Sequence, residues 1–370
     1  AGCGERQGSR GGGGGGGARH GAGWLKTLTL FSCLTFHYSS AFNLLGPKPF
    51  GLPSGTFKAV GATGRRVTCG SRTARMVQTH VSTGGEKAGV EVGGVDGVWY
   101  LEQILTAKVY DVAVETPLHD MPRLSERLEG GNMIMAKRED MQPVFSFKLR
   151  GAYNMIANLD QAQLDRGVIT ASAGNHAQGV AMSAKHLGCR AVIAMPTVTP
   201  AIKVNSVKRM GAEVVLVGDN FDETKAYALE RSEKDNMVFI PPFDHPLVIA
   251  GQGTIGLEIL RQCSKPIDAI FIPVGGGGLI AGVAAYVKRL RPDIKIIGVE
   301  PTGADAMYRS LKEKKQVVLD KVDTFADGVA VKTVGSLTFK LALELVDEIV
   351  LVDTDEACGP GLLLAPRFLQ

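Results

Sequence analysis

A chain of 370 residues, 45% hydrophobic and 21% charged, has room for two domains with a sizeable core. Its six cysteines (3, 33, 69, 189, 263 and 358) include no C-x-x-C pair and its seven histidines show no ligand spacing, so no disulfide framework and no metal site is indicated. The net charge of +4 is misleading: residues 1–85 hold ten Lys/Arg against Glu5 alone, so the rest is net acidic and nucleic acid is not an expected partner.

Residues 1–85 read as an unstructured targeting leader. They hold a seven-glycine run (Gly11 to Gly17), an apolar stretch WLKTLTLFSCLTF (Trp24 to Phe36), and then an acid-free Arg/Ser/Thr/Gly segment. The apolar stretch is too short to span a membrane and has the length of a signal-peptide core, so the mature form is not expected in a membrane. SSAF (Ser39 to Phe42) resembles the Ala-Phe junction of two-part leaders in algae with secondary plastids. The expected address is a plastid, with the mitochondrion as the alternative.

In PVFSFKLRGAYNMI, Pro143 opens an expected extended segment and Ser146 can cap a following helix, which places Lys148 in its first turn. The positive end of the helix dipole disfavours a cation there and should lower the lysine's pKa. A free amine is what attack on an aldehyde requires. Taken alone, Lys148 also reads as a solvated lysine beside Arg150.

Strand, loop and helix follow in ITASAGNHAQGVAMSAKHLG (Ile169 to Gly188). Ser172, the N–H groups around Gly174 and the Asn175 side chain suit a substrate carboxylate and a ring oxygen. The plain alternative is a capped helix with His176 packed or solvated. Strands and helices then alternate through 190–195, 213–218, 237–240, 295–300 and 348–353, the pattern of a parallel, doubly wound α/β architecture.

GQGTIG (Gly251, Gly253, Gly256) matches a dinucleotide fingerprint, yet the proline-broken PPFDHPLVIA precedes it and the next strand, AIFIPV, ends without a carboxylate. It reads instead as a helix start. FIPVGGGGLIAG (Phe271 to Gly282) runs from an apolar strand through four glycines into an apolar helix, a cradle for an oxyanion. A P-loop would next show Lys and Ser/Thr, whereas Leu279 and Ile280 follow, so a cofactor phosphate suits it better than a nucleotide triphosphate. A ligand-free turn is the alternative. Glu300 and Asp305 read as a strand end and a helix cap, with a cation site as the lesser possibility.

The segments 137–156, 170–181, 241–254, 271–283 and FADGVAVKTVG (325–335) closely resemble the biosynthetic threonine dehydratase (threonine deaminase) family of fold-type II pyridoxal-phosphate enzymes, from about Val98 to Ala357. The resemblance implies two lobes with the cofactor between them: a large lobe, 97–142 with 240–357, and a small lobe, 143–239. It implies that Lys148 is the lysine to which pyridoxal 5′-phosphate attaches. Asn175 would lie beside the cofactor's phenolic oxygen, and Gly275, Gly276, Gly277, Gly278 and Leu279 would hold its phosphate. Ser172, Gly174, Asn175 and His176 would meet the substrate. The implied reaction is elimination of water from L-threonine followed by hydrolysis of the released enamine to 2-oxobutanoate and ammonia, the first step of isoleucine biosynthesis, with L-serine giving pyruvate. A homo-oligomer, dimer or tetramer, is the implied assembly.

Past Ala357 the chain departs from the family. Gly359, Pro360 and Gly361 cannot continue the helix that Asp353 or Thr354 would cap, so 358–370 form a non-family tail. The family's Pro-Ser-Gly segment, whose serine meets the ring nitrogen, and its regulatory domain are not in this sequence. The expected consequences are exposed apolar surface and a poorly oriented cofactor. Two alternatives therefore stand beside a threonine ammonia-lyase: a serine racemase or catabolic serine/threonine dehydratase, and an inactive truncated product. Ala173, where racemases of this fold carry a serine, weighs against racemisation.

Overall fold

The computed structural model describes residues 27–31, 97–128 and 131–358. Among these the strands are β1 (Thr27–Phe31), β2 (Leu118–Asp120), β3 (Met133–Lys137), β4 (Val168–Ala171), β5 (Ala191–Met195), β6 (Glu213–Leu216), β7 (Val238–Phe239), β8 (Ala269–Pro273), β9 (Lys295–Pro301) and β10 (Glu348–Val352). The runs VITA, AVIAM and AIFIP are nearly continuous in apolar residues because both of their faces are covered by helices, and all but Pro273 at the end of β8 are buried.

One sheet has four strands in the order β6-β5-β4-β7, all parallel. The other has six, β10-β9-β8-β1-β3-β2, parallel except for β2. That exception departs from the wholly parallel expectation. β2 is three residues at a sheet edge, a place where an otherwise parallel sheet accepts an antiparallel strand.

Each sheet has its own apolar core. Ile249, Ile255 and Ile259 of the helix Pro246–Gln262 pack with Val283 and Val287 of the helix Gly278–Leu290 against Ile270 and Ile272 of β8. Ile156, Val180, Ile193 and Val207 anchor the other core. The two helices cross closely because glycines face each other: a Cβ on Gly282 would lie 2.3 Å from the Ile249 carbonyl, and one on Gly253 would lie 2.9 Å from the Gly282 carbonyl. The dinucleotide-like glycines are therefore packing residues within a helix. That helix begins at Pro246, earlier than expected, with the His245 ring accepting the Leu247 N–H at 3.2 Å.

Thr27–Phe31, inside the stretch read as leader, pairs in parallel with β3 from Thr27↔Met133 to Phe31↔Lys137 and with β8 from Leu28↔Ala269 to Leu30↔Phe271. No strand is expected there from the sequence. A short apolar run of this length serves equally as an interior strand and as part of a signal core, so hydrophobicity alone cannot separate them. The rest of residues 1–85 and the tail after Cys358 lie outside the described residues.

Candidate active site

Pro143 to Phe147 form turns, not the extended segment expected. Pro143 is the second residue of a turn closed by the Phe145 N–H on the Gln142 carbonyl at 2.7 Å, a position that proline's fixed φ favours. Lys148 then opens the helix Lys148–Ile156, in its first turn as expected. The capping position is Phe147, while the Ser146 hydroxyl accepts the Lys148 N–H at 3.3 Å. Lys148 Nζ donates to the Pro242 carbonyl at 3.0 Å and lies 5.4 Å from the Phe147 ring and 6.0 Å from the Phe243 ring. The amine is thus half-buried between aromatic faces rather than solvated.

Arg150, two residues further on, is fully buried. Its guanidinium donates to Glu139 (Nε to Oε2 2.8 Å, Nη2 to Oε1 2.8 Å) and to Glu258 (Nη1 to Oε1 2.5 Å, Nη2 to Oε2 3.0 Å). Lys137, also fully buried, pairs with Glu258 at 2.5 Å. Two cations and two carboxylates balance, which is the condition for holding charges away from water. The cluster ties the Lys148 helix to β3 and to the helix Pro246–Gln262.

After β4, the Ser172 N–H continues the ladder to the Ala194 carbonyl at 3.1 Å and the Ser172 hydroxyl accepts the Gly174 N–H at 3.3 Å. A Cβ on Gly174 would meet nothing within 4 Å, so the space beside this residue is open. Asn175, half-buried, is the first residue of the helix Asn175–Leu187. His176 does not share that open position. It is 4% exposed, with Nε2 3.0 Å from the Ile240 carbonyl. Burial first and the Lys148 charge second push its pKa down to about 3, against the pull of the Ile240 bond. The ring is neutral, with one nitrogen committed to the backbone.

After β8, the glycine loop leads into the helix Gly278–Leu290, with Gly277 at φ +91°. Side chains have no room here: a Cβ on Gly276 would lie 2.3 Å from the Phe243 ring, and one on Gly278 would lie 2.9 Å from Phe243 Cβ. The Gly276 carbonyl accepts the Thr338 hydroxyl at 2.6 Å and the Gly335 N–H at 3.2 Å. Leu279 buries its side chain in the large apolar core, so only its backbone is available at the helix start. N–H groups of the first helical turn have no acceptor inside the helix, and a tight glycine backbone lets an oxyanion reach them. The donor set fits a phosphate.

These parts meet at residues 240–246, which follow β7. Ile240 takes the Thr170 hydroxyl at 2.8 Å and His176; Pro242 takes Lys148; Phe243 lies against both Lys148 and the glycine loop. The loops after β4, β7 and β8 all leave the C-terminal ends of parallel strands, where open α/β sheets bind ligands. Sequence reasoning missed Phe243 and the Arg150 cluster. The one local signal was an aromatic residue set among prolines in PPFDHP.

Glu300 is fully buried and accepts the Met307 and Tyr308 N–H groups at 3.0 and 2.8 Å. Burial pushes its carboxyl up to about 8 against those two donors. Asp305 pairs with Arg309 at 2.9 Å. Glu300, near the end of β9, therefore caps the helix Ala306–Glu313 in place of Asp305, which stands at the capping position without a side-chain cap bond. Among the described residues no group of three or more His, Cys, Asp or Glu gathers to hold a metal, and no helix is long and apolar enough to cross a membrane.

A family model described as pyridoxal-phosphate dependent enzyme matches residues 109–367. The chain belongs to that family. It is 63% identical over 267 residues to the biosynthetic, chloroplastic threonine dehydratase 1 of Solanum lycopersicum, covering 72% of this chain and 44% of that protein. The solved structure of the processed form of threonine deaminase isoform 2 from Solanum lycopersicum is 58% identical, with a TM-score of 0.68 over 71% of this chain and 76% of that one. Maize serine racemase is 32% identical, with a TM-score of 0.69 over 73% and 88%. The chain spans about half the length of the curated relatives it matches. The α/β, fold-type II class expected from the sequence is the class of this fold.

Proposed function

We propose that this chain carries the catalytic part of a threonine ammonia-lyase that uses pyridoxal phosphate to convert L-threonine to 2-oxobutanoate and ammonia, with L-serine as a second substrate. The observation that carries the reading is Lys148: half-buried, held on the Pro242 carbonyl, and beside the Phe243 ring that packs on Gly276 and Gly278. The names of the most similar relatives support the same reaction.

When bound, the cofactor supplies a conjugated ring that accepts the electron pair left at the substrate's α-carbon. Lys148 would hold the cofactor through Nζ, and that same nitrogen would take the substrate's α-proton. The N–H groups from Gly275 to Leu279 bind the phosphate. Asn175 donates to the ring oxygen, and Ser172 with the Gly174 N–H takes the substrate carboxylate in the open space there. The two-lobe division, 97–142 with 240–357 and 143–239, is supported by the four-stranded sheet falling wholly within 143–239. A homo-oligomer and a plastid address belong to the same reading, the latter supported by the chloroplastic relative.

Racemisation is the second reading, favoured by the fit to maize serine racemase. Ala173 leaves the loop without a second hydroxyl to return a proton to the opposite face. The test is the visible absorption of the protein with pyridoxal phosphate beside Lys148→Ala, before and after threonine. A band that Lys148→Ala lacks, perturbed by threonine with 2-oxobutanoate accumulating, is the expected result. D-serine formed from L-serine would move the assignment to the racemase.

A further inference from the structure

We propose that Asp244 is a positioning residue that sets the shape of the glycine loop and thereby its affinity for a phosphate, an inference that rests on the reading of Gly275–Leu279 as the phosphate site. Its carboxylate accepts four donors at the start of the helix Ser336–Leu345. Oδ2 takes the Ser336 N–H at 2.9 Å and hydroxyl at 3.1 Å; Oδ1 takes the Leu337 and Thr338 N–H groups at 2.9 and 3.2 Å. The preceding residue is closed in on the same group, since a Cβ on Gly335 would lie 2.3 Å from Asp244 Oδ1. An ionised carboxylate suits such a donor set, because it accepts on both oxygens and donates nothing.

That anchoring reaches the glycine loop by two routes. The helix it fixes carries Thr338, whose hydroxyl donates to the Gly276 carbonyl at 2.6 Å and whose Cβ would lie 2.9 Å from a Cβ on Gly277. The residue before Asp244 is Phe243, whose ring lies over Gly276 and whose Cβ and backbone lie against Gly278. The loop is therefore gripped from both sides by groups that Asp244 holds in register. Gly277, at φ +91°, has the freedom to turn its peptide, and restraint must come from outside the loop. In a trans peptide the carbonyl of one residue and the N–H of the next point in opposite directions. Holding the Gly276 carbonyl on Thr338 thus aims the Gly277 N–H away from that helix.

The experiment compares binding of pyridoxal phosphate with binding of pyridoxal, which keeps the aldehyde and lacks the phosphate, by absorbance titration of the full chain. Asp244→Ala, Asp244→Asn and Thr338→Val are measured beside wild type. The expected result is a Kd for pyridoxal phosphate raised by about tenfold or more in Asp244→Ala, with the Kd for pyridoxal within about twofold of wild type. Thr338→Val shifts the same way, and the double variant is no weaker than Asp244→Ala alone, because both act through one carbonyl. Equal weakening toward both ligands would reduce Asp244 to a merely structural residue and overturn the proposal; so would full additivity. If Asp244→Ala fails to fold, Asp244→Asn and Thr338→Val carry the comparison. A wild-type chain that binds both ligands equally would instead refute the phosphate site on which the proposal rests.

Discussion

Arg150 stands two residues after Lys148 and grips both oxygens of Glu258, at 2.5 and 3.0 Å, with no exposed surface on either side chain. Replacing it with methionine leaves the Glu139 and Glu258 carboxylates buried with Lys137 as the remaining cation of the cluster. Breaking one partner out of a buried ionic cluster costs about 3–5 kcal/mol. Urea unfolding should show Arg150→Met destabilised by that order, and Arg150→Lys by less, since the charge survives but the fork is lost. A loss under about 1 kcal/mol in Arg150→Met would mean the cluster does not hold the Lys148 helix.

Gly174 and Gly276 separate binding from folding. Gly174 has open space at its Cβ position and φ −123°, which any residue adopts, so Gly174→Ala should unfold within about 0.5 kcal/mol of wild type. If the open space receives the substrate carboxylate, the same variant raises KM for threonine at least tenfold. Gly276→Ala meets the Phe243 ring at 2.3 Å and should lose cofactor as well. Steady-state kinetics and the retained absorption band check both. Unchanged KM in Gly174→Ala would remove this loop from the substrate site.

Why the local structure around Lys148, Asn175 and the glycine loop was legible, and that around Asp244 was not, is a matter of sequence distance. The first three sit at strand-loop-helix junctions, where glycine, capping residues and apolar runs within about a dozen residues declare the geometry. Asp244 and Ser336 are 92 positions apart and Arg150 and Glu258 are 108 apart, so their pairing exists only once the sheets have packed. The burial of His176 was hidden for a related reason. Its neighbours in sequence are the expected binding residues, yet the helix turns its ring toward Ile240. The pairing of β1 was not legible because an interior strand and a secretion signal draw on the same apolar residues.

His176 gives a dependence on pH with a definite sign. Its ordinary value is 6.5 and in the folded protein it is pushed down to about 3, first by burial and then by Lys148. Below pH 6.5 the unfolded chain takes up a proton that the folded chain refuses, so stability falls as pH drops through that window, by up to about 1.4 kcal/mol per pH unit. His176→Gln keeps an amide to donate to Ile240 and removes the titration. Thermal unfolding between pH 7 and 4 should show a shallower slope for the variant. Parallel slopes would place the acid sensitivity elsewhere.

The strand β1 makes the sharpest test of the boundary between leader and fold. Its backbone pairs on both sides, with β3 and with β8, so Thr29→Pro removes a ladder donor from the middle of a sheet and forces a fixed φ upon it. A loss of about 3 kcal/mol or more is expected if residues 27–31 hold the sheet together. Deleting residues 1–85 should have a larger effect in the same direction, leaving the facing edges of β3 and β8 unpaired and open to another strand. Urea unfolding of the full chain, of Thr29→Pro and of the shortened chain decides the matter, with light scattering to detect association through the opened edges. Identical midpoints in all three would return residues 27–31 to the leader and leave β3 and β8 to be completed by some other segment.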